Sequence, residues 1–108
     1  MKESDWKVFR ELKDTLLESF CQLTLASAEQ IIRERKDSAH ARYLALFSLI
    51  EKNDKALGLA FDGISRSNAV SRLAFMRSGG LFTDEEFARF SSEVQEQIDR
   101  IARSVEDE

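Results

Sequence analysis

GLAFDGISRSNAVSRLAFMRSGG, residues 58–80, is the stretch on which the fold turns. It holds all four glycines (Gly58, Gly63, Gly79, Gly80) and overlaps a run of 21 residues between Asp62 and Asp84 that contains no acid. Proline is absent from the chain, so nothing outside this stretch forbids helix. Inside a helix Gly58 and Gly63 would each cost about 1 kcal/mol relative to alanine, so they mark either close helix packing or an interruption. Beyond them Val70, Leu73 and Met76 resume a helical period, and Ser78-Gly79-Gly80 is a strong C-terminal stop.

Toward the N-terminus, Phe9, Leu12, Leu16, Phe20, Leu23, Ser27 and Ile31 recur at alternating spacings of three and four, the seam of one amphipathic helix. Ser4 or Asp5 is its expected N-cap, and it runs to about Lys36. A second row, Val8, Leu17, Cys21, Leu25, Ala28 and Ile32, widens the apolar face enough to serve more than one neighbour. Lys36-Asp37-Ser38 is the candidate break, the alternative being one continuous helix. Helix 2 then carries Tyr43, Leu46, Phe47, Ile50, Leu57, Phe61 and Ile64, with a kink expected near residues 58–68.

On the C-terminal side, Thr83-Asp84-Glu85-Glu86 has the form of a capping box, with hydroxyl at the cap and glutamate three residues on. Ser91-Ser92 with Gln95 offers a second start, and Val94, Ile98, Ile101 and Val105 form the stripe of a last helix. Glu106-Asp107-Glu108 places acids where the helix dipole disfavours them, so fraying is expected there. The expected fold is a single all-α domain over residues 1–108: a long antiparallel helical hairpin with two short C-terminal helices. Two long helices in so small a chain leave apolar surface uncovered, and dimerisation is expected to complete the bundle.

The inventory of reactive groups is thin. His40 and Cys21 are the only histidine and cysteine, too few for a zinc site, and no glycine-rich phosphate loop exists; neither metal nor cofactor is expected. A small helical enzyme would project basic groups from its helix seams, and the first seam has none, so a catalytic role ranks last. A net charge of −4 argues against a nucleic-acid coat protein. One cysteine, an acid-bearing N-terminus and no long apolar run predict a cytoplasmic protein without a membrane span.

Within the central stretch, Arg66, Asn68, Arg72 and Arg77 are the candidate binding patch. Residues Gly63-Ile64-Ser65-Arg66-Ser67-Asn68-Ala69-Val70-Ser71-Arg72-Leu73 resemble the turn and recognition helix of helix-turn-helix DNA-binding proteins. The resemblance implies that Ser65, Arg66, Ser67 and Asn68 lie at the groove-facing start of that helix, with Arg72 beyond. Val70 and Leu73 each come one residue later than the family's apolar positions, and one residue turns a helix by about 100°. Against it stands an internal use, in which the arginines meet Glu93, Glu96 and Asp99 of the acidic last helix. The expected function is therefore a non-catalytic helical protein–protein interaction or adaptor module, homodimeric, with DNA binding as the alternative.

Overall fold

The computed structural model describes residues 1–106, with side chains to Ser104, and every element among them is helical. Helix α1 spans Glu3–Arg33, α2 Ala39–Phe61, α3 Ala69–Ser78, α4 Asp84–Phe87 and α5 Ser92–Glu106. The side chain of Val105 and the acidic end at Asp107 and Glu108, where fraying is expected, lie outside the described residues.

The local signals act where the sequence puts them. Ser38 accepts a hydrogen bond from the Ala41 amide at 3.1 Å and opens α2. The capping box forms, Thr83 Oγ1 accepting from the Glu86 amide at 3.0 Å and Glu86 Oε1 accepting from the Thr83 amide at 2.9 Å. Helix α3 ends in a Schellman motif: the Leu81 amide donates to Met76 O at 3.2 Å and the Gly80 amide to Arg77 O at 3.1 Å. Gly80 sits at φ +73°, which a side chain disfavours.

Two boundaries differ from expectation. Helix 2 is not kinked through residues 58–68; it stops at Phe61, and residues 62–68 form a turn before the separate helix α3. Gly63 takes φ +65° in that turn, and a Cβ added to it would meet nothing within 4 Å, so the glycine serves backbone conformation and not helix packing. Gly58 also borders no neighbouring helix: the only group a Cβ would approach is the Asp62 side chain, at 3.1 Å. At the N-terminus, α1 begins at Glu3 with Lys2 in the cap position and no side-chain cap; Asp5 points inward instead.

The core sits at one end of the molecule. Phe9, Leu12 and Leu16 of α1 and Ala60 and Phe61 of α2 pack with Leu73, Ala74 and Met76 of α3. Leu81, Phe82, Phe87, Phe90, Val94 and Ile98 close that core, with Phe82 stacked edgewise on Phe90 at 6.0 Å. Helix α3 packs most extensively on α5. Beyond Leu16, α1 buries only Ala28, and α2 buries nothing before Ala60. The outer segments of the two helices meet through Asn53 Nδ2, which donates to Thr24 Oγ1 at 2.8 Å, and through Arg42, which donates to Ile32 O at 2.8 Å. The molecule measures 51 × 29 × 25 Å, its length set by α1, whose 31 residues rise about 46 Å. Its radius of gyration of 16.1 Å exceeds the roughly 13 Å of a spherical domain of this length, as expected if a helix pair extends from a globular end.

Candidate functional site

The four residues of the candidate patch are consumed inside the chain, each by a different element. Arg66 pairs with Glu3 at the start of α1. Arg72 reaches back to the last turn of α2, donating to Leu59 O, a carbonyl that the end of a helix leaves without a partner, and, at 3.5 Å, to Gly58 O, which also accepts from the Asp62 amide. Arg77 donates to Asp99 of α5 at 3.4 Å and lies 3.8 Å over the Phe87 ring. Asn68 clamps the turn, accepting from the Ser65 amide at 2.8 Å and donating to Gly63 O at 3.0 Å. Of the three arginines expected to meet the acidic last helix, only Arg77 does so. Ser65, Arg66 and Ser67 lie in the turn ahead of α3, not at the start of a helix, and α3 buries Ala69, Leu73, Ala74 and Met76.

A different surface carries the unexplained chemistry. In the outer segments, Leu25 is 64% exposed, Ile32 51%, Tyr43 67%, Phe47 57% and Ile50 46%. These residues belong to two rows of one spacing. On α1 the row is Cys21, Leu25, Ala28, Ile32, and on α2 it is Tyr43, Phe47, Ile50, Asp54, both stepping four, three, four. That step is the heptad seam of helices that pack side by side. A groove of about 210 Å³ is lined by Phe20, Cys21, Thr24 and Leu25 from α1 and Ile50, Asn53, Asp54 and Leu57 from α2, taking in Cys21, Leu25, Ile50 and Asp54 of the two rows. Its walls are apolar, with Asp54 and Asn53 supplying the polar edge.

The other side of the pair is mixed, with Ile31 and Ala45 beside polar groups. Ser27, Gln30, Glu34, Asp37 and Arg42 line a separate depression there, Ser27 lying two residues, or about 200° of helix, from Leu25. On α2 the row is exposed at Tyr43, Phe47 and Ile50; on α1 Leu25 and Ile32 are exposed while Ala28 of the same row is buried, and Leu23 and Leu44 add exposed apolar surface elsewhere on the pair. In the second α1 row, legible in the sequence as an unusually wide apolar face, Leu25 and Ile32 are exposed and Ala28 is buried. The α2 row escaped notice because Tyr43, Phe47 and Ile50 read as one stripe with Leu46, Leu57 and Phe61. A separation of about 100° between Leu46 and Phe47 divides them, and only the position of α1 reveals which is covered.

Other chemistry is sparse. Cys21 is a free, half-buried thiol in the groove wall. No group of three or more metal-ligating side chains occurs among the described residues, and no helix among them is long and apolar enough to cross a membrane. Compared with protein-family models, curated proteins and solved structures, the chain matches none.

Proposed function

We propose that this chain is a non-catalytic helical protein–protein interaction module that works as a homodimer, with α1 and α2 forming an antiparallel hairpin whose bare face joins a second copy. The observation that carries the reading is the set of exposed apolar side chains on the outer segments, Leu25 and Ile32 on α1 and Tyr43, Phe47 and Ile50 on α2. Fully covering a Leu, Ile or Phe side chain is worth about 1.5–3 kcal/mol, so several such side chains in one patch provide a driving force that isolated surface apolar residues do not. The internal engagement of Arg66, Arg72 and Arg77 also favours a protein partner over nucleic acid, since cations already paired contribute little to phosphate neutralisation.

Light scattering tests it directly. The wild-type chain is expected at twice its 12.4 kDa mass at concentrations of about 100 µM. Phe47→Asp, at a position 57% exposed, is expected to leave helicity unchanged and shift the mass to that of one chain. A wild-type chain that stays monomeric at that concentration overturns the homodimer.

A further inference from the structure

We infer that residues 62–68 are a hinge: opened, they let α3–α5 of one copy leave its own α1–α2 pair and dock on that of a second copy, while Gly63 and Asn68 hold the turn closed within one chain. The chain falls into two parts joined once. Helix α1 packs on α2, α3 packs most extensively on α5, and the one covalent link between these parts is the turn from Asp62 to Asn68. Everything else that joins them is noncovalent: the shared core, the Asp5–Ser91 hydrogen bonds, and the Lys2–Glu93 and Arg89–Glu11 ion pairs. A second copy offers the same groups in the same geometry, so exchange of the parts conserves every one of these contacts.

The turn is held from the surface. Asp62, Gly63, Ser65, Arg66 and Ser67 are exposed, and Ile64 is the apolar side chain among them that packs against the core. Asn68 clasps the loop at both ends, accepting from the Ser65 amide at 2.8 Å and donating to Gly63 O at 3.0 Å. Gly63, at φ +65°, takes a conformation that other residues enter at a cost. Both devices serve only the closed path. No proline lies between Ala39 and Ser78, so the backbone of the open turn is free to become helical, and α2 and α3 then run on as one rod. Such a rod carries α3–α5 away from the α1–α2 pair of its own chain.

Concentration decides between the two forms. A connector this short presents the two parts to each other at an effective concentration of about 1 mM, so closure within one chain prevails in dilute protein. Exchange competes once the parts have separated at a protein concentration of that order, and a short hinge whose closed form is weakened invites it.

The test uses the Phe47→Asp chain, in which the face-to-face pairing proposed above is removed, so that a dimer has another origin. Equal amounts of 15N-labelled and unlabelled Phe47→Asp chain are mixed at about 1 mM, heated to the midpoint of the melt, cooled and diluted about a hundredfold. A dimeric fraction that persists on dilution is expected. Carbodiimide then joins Lys2 to Glu93, whose charged groups lie 3.5 Å apart, and the exchanged dimer is expected to yield that link between one labelled and one unlabelled peptide. Adding Gly63→Ala and Asn68→Ala is expected to raise the ratio of dimer to monomer about tenfold. Gly79→Ala, at φ −79° outside the turn, is expected to leave it unchanged. A Phe47→Asp chain that returns wholly to monomer, or whose Lys2–Glu93 links join only peptides of like label, overturns the hinge. A ratio that ignores Gly63→Ala and Asn68→Ala overturns their part in closing it. The mass of the wild-type chain at about 100 µM decides the homodimer separately.

Discussion

Asp5 is 2% exposed, and both its oxygens accept from Ser91, 86 residues away: Oδ1 from the amide at 2.7 Å and Oδ2 from the hydroxyl at 2.8 Å. Because the Ser91 hydroxyl donates to Asp5, its lone pairs stay free for the Val94 amide at 3.3 Å, so one carboxylate fixes the cap of α5 from the start of α1. Asp5→Ala strands two buried donors and is expected to cost about 2–3 kcal/mol. In a thermal melt this is a fall of roughly 10 °C. Asp5→Asn, which still offers an acceptor, is expected to lose less; equal losses would mean that the charge and not the hydrogen bonds holds the site. None of this was legible in the sequence, where Asp5 reads as a helix N-cap, because its partner is set by how α5 returns to α1 and not by local spacing.

At the level of the elements, helix ends are closed by two means. Local devices, the Thr83 box and the Gly80 Schellman turn, were readable because every partner lies within five residues. Gly80→Ala forces a side chain into the left-handed region and is expected to cost about 1–2 kcal/mol in chemical denaturation. Gly79→Ala, at φ −79° with only ordinary contacts at 3.5 Å, is expected to stay within about 0.5 kcal/mol of wild type. Thr83→Ala, which removes the cap of α4, is expected to cost about 1 kcal/mol. The second means is an arginine supplied by the following helix. Arg42 of α2 covers Ile32 O at the end of α1, and Arg72 of α3 covers the end of α2, placing cations where helix dipoles favour them. Of the arginines that read in the sequence as a patch, Arg72 is thus a helix closure.

For the whole molecule, the uneven distribution of the core has a dynamic consequence. The end that packs α3 and α5 buries Leu73, Met76 and Ile98 completely, while the outer segments of α1 and α2 rely on one contact row. Amide hydrogen exchange is therefore expected to be slow in residues 69–78 and 92–102 at any concentration. Under the proposed pairing, exchange in residues 20–33 and 39–57 is expected to quicken on dilution as the second copy leaves. Protection in the outer segments that ignores concentration would show that the helix pair is stable alone.

Periodicity, caps and the absence of proline determined that the chain is all-helical and where α2, α4 and α5 begin, since those signals act between residues three or four apart. The sequence also revealed that α1 has more apolar surface than one neighbour needs. Tertiary structure alone decided which apolar side chains of α1 and α2 are covered and which are exposed, that α3 is a separate helix, and that Arg66, Arg72 and Arg77 are directed to three separate elements. The reason is physical: an apolar row records that burial is favourable but not what buries it, and a charged side chain records no partner until chain segments distant in sequence are brought within a few ångströms of it.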